Sequence, residues 1–359
     1  MKKINWGIIG GGQIAKLFAE SINKSFQGKF VSIASKNLEN RNYFLKRFGS
    51  DLKIVDSYED LLNDNSIDVI YIALINSMHK EYIIKSALKN KNVLVEKPAC
   101  LSAQDFNECK KYLSKSSIFF MEAMMYLHHP QFERILNFIY NNEIGEVLEI
   151  ESFFGNRINK NLFGIDLKNI KNEHRRLFMH DIGGGAINDV GCYPVSLSMI
   201  IAGANKKIKF TTIKELSAFG SVHSTGIDQS SYAKILFSNG IKSKIAVAIN
   251  KKFKKPTIIK GSRGAIIIQN PWSPANNYQL ILKRNGHTKV YNYQTKNINS
   301  YCHEINHVNQ LIIDKKKQAD QTGMNWDMTE NCLRILDQWK SKVKINSSFT
   351  KNIVNKLFF

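Results

Sequence analysis

At 359 residues the chain exceeds what one ordinary hydrophobic core organises, so two domains are expected. A hydrophobic content of 43% excludes a disordered chain, and no apolar run reaches the ~20 residues that span a bilayer. The net charge of +21 sits partly in short lysine runs (251–255, 315–317) that lack any nucleic-acid-binding signature, so an anionic cofactor or substrate is the expected use of the field.

The start, MKKINWGIIGGG, opens with two lysines as a signal peptide does, but its apolar segment is short and runs into glycines. It reads as a first strand, Trp6–Ile9. A helix follows with Ile14, Leu17, Phe18, Ile22 and Phe26 on one face, then a strand Phe30–Ala34 and a helix Leu38–Phe48 stopped by Gly49. Asp68–Leu74 is a continuous apolar run, as a strand buried on both faces requires. A helix with Ile83, Ile84, Ala87 and Leu88 and the strand Val93–Val95 complete the alternation. This pattern predicts a doubly wound parallel sheet over 1–122.

Beyond that point the pattern changes. Glu146–Arg157 and Ser230–Ile249 read as long strands, the second folded at Ser238-Asn239-Gly240. Gly264–Gln269 and Tyr278–Lys283 continue the series, with another hairpin turn at Asn285-Gly286. Helices are expected after Gly185, at Glu304–Ile313 and at Met328–Lys342. Residues 123–359 thus read as an α+β domain with an open, mostly antiparallel sheet. The five cysteines, odd in number and without a CxxC pair, fit free thiols in a reducing, cytoplasmic setting.

Gly10-Gly11-Gly12-Gln13-Ile14-Ala15 matches GxGxxA between a strand and a helix, the arrangement that cradles a dinucleotide pyrophosphate. Gly10, Gly12, Gln13 and Ile14 are its cofactor-binding candidates. The second strand ends Ala34-Ser35-Lys36-Asn37, with Arg41 one turn on, where NAD-binding chains usually carry an acid. Ser35 and Lys36 suit a 2′-phosphate, so NADP is expected, with NAD as the alternative; Lys36 also reads as an ordinary surface lysine. Glu96-Lys97-Pro98 stands at the carboxyl end of a buried strand, where ligands bind in open α/β sheets. Lys97 can donate there to a carbonyl or alkoxide oxygen, with Glu96 holding it or the cofactor; a surface ion pair is the bland alternative. Lys97-Pro98 is an X-Pro bond, the type that populates cis. Asp189 and Tyr193, four apart after the second triple glycine Gly183-Gly184-Gly185, share a helix face.

These residues, with Asn76-Ser77-Met78-His79, Glu122-Ala123-Met124 and the run GGGAINDVGCYP, resemble the glucose–fructose oxidoreductase/inositol dehydrogenase (Gfo/Idh/MocA) family over nearly the whole chain. Its dihydrodiol-dehydrogenase-like and sugar-dehydrogenase members are the nearest in pattern. The resemblance implies hydride transfer between nicotinamide and a secondary alcohol or carbonyl of a sugar, nucleotide sugar or cyclic diol. It makes Lys97 the lysine beside the reacting oxygen and Tyr193 the general acid/base, with Asp189 orienting substrate or Lys97. Asn76, His79 and Glu96 would line the nicotinamide ribose, and a homodimer or homotetramer would form through the second sheet. Ile75 and Leu127 stand where the family often has Pro and Arg, which leaves the substrate open; Arg157, Arg175 and Arg176 are alternative cations. A non-catalytic NADP-binding sensor of the same fold is the competing reading.

His303-Glu304-Ile305-Asn306-His307 is a literal HExxH, with Glu330 downstream as a conceivable third zinc ligand. A zinc peptidase leaves the glycine turn and the Lys-Pro corner unexplained, so no metal is expected.

Overall fold

Short apolar runs form the first sheet, and the computed structural model describes residues 3–158, 175–204, 206–295, 298–320 and 322–345. Strands β1 (Ile4–Ile9), β2 (Gly28–Ala34), β3 (Lys53–Val55), β4 (Val69–Ile72), β5 (Asn92–Val95) and β6 (Phe120–Glu122) are all parallel, in the order β3-β2-β1-β4-β5-β6. The helices are α1 (Gln13–Lys24), α2 (Leu38–Phe48), α3 (Tyr58–Leu62), α4 (His79–Leu88), α5 (Ala103–Lys115), α6 (Pro130–Tyr140), α7 (Ala186–Val190), α8 (Cys192–Ala204), α9 (Ser300–Ile313) and α10 (Trp326–Lys342). The first five link successive parallel strands, and the strand order reverses between β1 and β4, the switch point where such sheets bind ligands.

The apolar face of α1 departs from the expected one. Ala15, Phe18, Ala19 and Ile22 are buried, whereas Leu17 is 46% and Phe26 71% exposed. Phe18 stacks on Tyr71 and tilts against Trp6, with small alanines beside it, and the helix ends at Lys24 before Phe26.

Two compact units divide the chain, and they interleave along it. The first takes Met1–Glu133, Ser273–Asn277 and Gln294–Glu330; the second takes Arg134–Trp272, Tyr278–Tyr293 and Asn331–Phe359. Helix α9, placed with the second domain by a simple cut at residue 123, therefore belongs to the first. Its Ile305, Val308 and Leu311 enter the same core as Trp6, Phe18 and Tyr71. Its Asn309 side chain accepts the Trp6 indole N–H at 2.9 Å, both groups fully buried.

In the second unit, β7 (Val147–Gly155), β8 (Ile213–Val222), β9 (Asp228–Phe237), β10 (Lys242–Ala248), β11 (Thr257–Gly261), β12 (Gly264–Ile268), β13 (Asn277–Arg284), β14 (His287–Gln294) and β15 (Lys344–Ile345) form one sheet in the order β14-β13-β12-β11-β7-β10-β9-β8-β15. Its pairs are mostly antiparallel; β7–β10 and β8–β15 are parallel. Positive φ at both Asn285 and Gly286 gives the type I′ geometry that closes β13 onto β14. Every residue of α8 is buried, as an all-round apolar helix requires, and it packs on β7 and β10. Alternate residues of β7 carry charge: Glu149 and Glu151 lie 2.8 and 2.6 Å from Lys260, and Lys244 reaches Glu149 at 2.8 Å. Strands β3, β6, β8, β11 and β15 and helices α3, α5 and α6 are additions to the sequence reading.

Replacing Asn309 by Ala strands a buried indole N–H, a loss of about 1–3 kcal/mol. A lowered thermal midpoint for the first unit's transition is the expected outcome, and an unchanged midpoint would refute the tie.

Candidate active site

The glycine turn sits at the carboxyl end of β1. Gly10 has φ +101°, and a Cβ there would lie 2.3 Å from the Ala73 carbonyl oxygen, so no other residue fits. Gly12 is the N-cap of α1 with no side-chain cap, and a Cβ there would meet nothing within 4 Å. Open space in front of uncapped N–H groups is what a pyrophosphate needs. Gln13 and Ile14 begin that helix. At the end of β2, Ser35 is 2% exposed and lies under Gly11; its carbonyl accepts from the Arg41 guanidinium at 2.8 Å. Lys36 is exposed, its ammonium 5.1 Å from the Tyr58 ring centre.

The Lys97-Pro98 peptide is cis, and the corner it makes after β5 is held from three sides. The Tyr71 hydroxyl donates to Glu96, and the Glu96 carboxylate accepts from the Lys97 N–H at 3.2 Å. Glu122, from the adjacent strand, accepts the Ala99 N–H at 3.0 Å. Burial pushes Glu122 up to about 7, and the Glu96 charge adds to this while the Ala99 N–H and Lys97 oppose it. His79 faces the Pro98 carbonyl at 2.9 Å and the Leu74 carbonyl at 3.2 Å through its two ring nitrogens. The sequence reading puts His79 beside the nicotinamide ribose; in the structure its ring is fully buried, and its nitrogens tie the corner to the end of β4. Asn76 opens the 3-10 turn Asn76–Met78 that follows β4. Glu96 and Lys97 are half-buried.

In the second unit the triple glycine serves packing. The N–H groups of Gly184 and Gly185 donate to the Met179 and Leu177 carbonyls at 2.9 Å each, drawing the run across that turn. Gly185, at φ +101°, would place a Cβ 2.3 Å from the Asp228 carboxylate. That carboxylate accepts the Ile187 N–H at 2.8 Å, and so holds the N-terminus of α7, the helix bearing Asp189. Gly191 stays helical between α7 and α8, so Asp189 and Tyr193 keep their one-turn relation. Asp189 lies 3.5 Å from the Arg176 guanidinium. Tyr193 is 8% exposed, its ring edge-on to Phe154 (5.1 Å) and Trp272 (5.7 Å). Sequence reasoning missed Asp228, Phe154 and Trp272, which carry no local motif.

His303 and His307 do lie on one helix, but among the described residues no three His, Cys, Asp or Glu side chains converge as a metal-ligand set. The His303 ring meets His129 edge-on at 5.5 Å, and His307 turns to His128.

Residues 4–123 match the family described as the oxidoreductase family with an NAD-binding Rossmann fold, and residues 132–267 match the Gfo/Idh/MocA C-terminal domain. The chain belongs to the Gfo/Idh/MocA oxidoreductase family. This family oxidoreductase is 27% identical to a mouse trans-1,2-dihydrobenzene-1,2-diol dehydrogenase, an alignment covering 88% of the chain and 90% of the relative. It is 30% identical to an uncharacterised oxidoreductase of Rhizobium meliloti, over 76% and 77% of the two chains. Among solved structures, a 3-ketoreductase from Actinomadura kijaniata, in complex with NADP and TDP-benzene, superimposes with a TM-score of 0.80 at 20% identity, covering 96% of this chain and 99% of the other. At that identity the likeness shows the shared fold alone.

Burial raises Asp228 to about 7 against the backbone N–H donors, which oppose it. A carboxyl raised in the fold adds stability that is full below its unfolded value and lost as pH climbs through the folded one. The second unit should therefore lose stability between about pH 4 and about pH 7, and Asp228→Asn should flatten that slope. An unaltered slope in urea titrations of the variant would count against this assignment.

Proposed function

We propose that this chain is an NADP-preferring oxidoreductase acting on a secondary alcohol or carbonyl of a sugar, nucleotide sugar or cyclic diol. The carrying observation is Lys97, held half-buried at the carboxyl end of β5 by Glu96, Glu122 and His79, in the unit whose glycine turn lies open at Gly12. Nicotinamide, when bound, supplies the carbon that gives or takes the hydride. Gly10, Gly12, Gln13 and Ile14 would receive the pyrophosphate on the N-terminus of α1. Ser35 and Lys36 would receive the 2′-phosphate, with no carboxylate at the end of β2 to repel it. Asn76 and Glu96 would border the nicotinamide ribose.

In the reaction, the Lys97 ammonium donates to the substrate oxygen, and Tyr193 takes that oxygen's proton as the phenolate or returns it as the phenol. Asp189 orients these groups. The diol named for the mouse relative and the TDP ligand of the ketoreductase support that substrate range. That ketoreductase was also crystallised with one tyrosine or one lysine replaced, the two residue types assigned here. A homodimer or homotetramer through the charged sheet face, and a cytoplasmic setting for the five free, buried cysteines, complete the reading.

A spectrophotometric screen of NADP(H) and NAD(H) against aldoses, nucleotide sugars and diols tests the reading. Cofactor binding without turnover on any of them would favour a sensor. Lys97→Ala and Tyr193→Phe are each expected to lower kcat by roughly 10²–10⁴-fold, with NADPH binding nearly intact by fluorescence titration; wild-type kcat in either removes its role. Lys36→Glu should shift the kcat/KM ratio toward NAD by about tenfold or more, a change of about 1.4 kcal/mol. An unmoved ratio would mean that Lys36 does not meet the 2′-phosphate.

A further inference from the structure

Tyr71 stands in β4, a strand buried along its whole length, where a ring needs only to fill space. Phenylalanine does that without enclosing a hydroxyl, so the oxygen of a tyrosine there has to be met by a partner. Register and pleat decide which one. Tyr71 lies opposite Ile8 on β1 and Leu94 on β5, and side chains two apart on a strand share a face. Glu96, two beyond Leu94, is therefore on the Tyr71 face, one step nearer the carboxyl edge. Its N–H still bonds to the Ile72 carbonyl at 3.0 Å, so the pairing of β5 with β4 reaches this residue. The result is a diagonal pair in which the Tyr71 hydroxyl donates to Oε1 of Glu96. The other carboxylate oxygen, Oε2, accepts the Lys97 N–H at 3.2 Å.

The donor is held rigidly. Phe18 of α1, the helix that opens at the glycine turn, stacks on the Tyr71 ring with centroids 3.6 Å apart and planes inclined by 13°. Trp6 tilts against the same Phe18 at 5.4 Å, and Tyr301 meets it edge-on at 6.3 Å. Tyr71 is fully buried, whereas Glu96 is half-buried at the edge of the sheet. A fixed phenol in the dry core thus grips one oxygen of a carboxylate that reaches the ligand-binding edge. Burial, and then the charge of Glu96, push the Tyr71 hydroxyl well above the usual phenol range, so it keeps its hydrogen for Glu96.

We propose that Tyr71 is a positioning residue for the cofactor, its hydroxyl fixing the Glu96 carboxylate in the orientation that receives the hydroxyls of the nicotinamide ribose. The inference rests on the oxidoreductase reading, in which Glu96 borders that ribose. A carboxylate has about four lone-pair sites, so the bonds from Tyr71 and from the Lys97 N–H leave acceptor capacity for a diol. A glutamate side chain is otherwise free to turn about its single bonds, and binding would have to arrest it. Holding it in place beforehand removes that cost from cofactor binding. Tyr71, enclosed in the core, acts through Glu96.

Fluorescence titration and kinetics on the whole chain test this. Tyr71→Phe keeps the ring on Phe18 and removes only the oxygen. It should raise Kd and KM about tenfold for the dinucleotide the wild type takes, NADPH or NADH, as loss of one hydrogen bond to a charged group does. At saturation kcat should stay within about threefold of wild type. Binding of the adenosine half alone, 2′,5′-ADP or ADP, should match wild type, because it lacks the nicotinamide ribose. In a Glu96→Ala background, adding Tyr71→Phe should cost nothing further, since the pair then has no interaction left to lose. An unchanged dinucleotide Kd in Tyr71→Phe overturns the assignment. So does an equal loss for the adenosine half, or a second tenfold loss in the Glu96→Ala background; each of these leaves the oxidoreductase reading in place. A wild-type chain that binds neither dinucleotide removes both.

Discussion

The first unit is organised around the backbone corner after β5. A strand that ends at a ligand-binding edge must stop abruptly and present a polar group there, yet its backbone remains at the boundary of a dry core. The structure meets this by enclosing polar anchors. Glu122 accepts from Ala99, and His79 faces the carbonyls of Pro98 and Leu74. An unpaired N–H or C=O at this depth costs about 1–3 kcal/mol, so each anchor offsets a penalty that the corner itself creates. The rise of Glu122 to about 7 follows from that enclosure. Lys97 is thus displayed by a frame of buried polar contacts.

The same logic separates the two glycine runs. In the first, Gly12 leaves open space before N–H groups that no side chain caps. In the second, space is filled: Gly184 lies against two carbonyls, and Gly185 against the Asp228 carboxylate. The first run lies open at the N-terminus of α1, and the second is filled by a side chain of the chain itself, the Asp228 carboxyl on the N-terminus of α7.

Legibility in the sequence followed locality. The parallel strands β1, β2, β4 and β5, helix α2 and the Asn285-Gly286 turn are local signals, and they lie where periodicity and turn chemistry place them; the three-residue β3 and β6 are too short to show a pattern. The helix Pro130–Tyr140 is omitted from the sequence reading although Phe132, Ile135, Leu136 and Ile139 have helical spacing behind a Pro at the first position. Leu17 and Phe26 mislead because periodicity alone does not show where a stripe ends. Placing α9 with the second domain has a deeper cause. The chain returns to its first core after a long excursion, and its amphipathic pattern names a buried face without naming the partner. The site divides in the same way. Lys97, Gly12 and Tyr193 lie in motifs, whereas Asp228 reaches α7 across 41 residues and Phe154 and Trp272 come from separate strands and loops.

The HExxH segment shows what such distance does to a motif. Helical spacing alone would set His303 and His307 as a ligand pair, with Glu304 between them as base. Tertiary contacts assign the two imidazoles to different partners: His303 to His129, and His307 to His128 across 179 residues. Glu304 then faces the interior beside His128, within the field of Glu96, while His307 faces Asp320 at the surface. A zinc ion needs three donors converging on one point. Among the described residues no such convergence occurs, and these groups are strung in a row. The arrangement in space is set by how α9 packs on the 3-10 turn Met125–His128, which the five-residue motif does not encode.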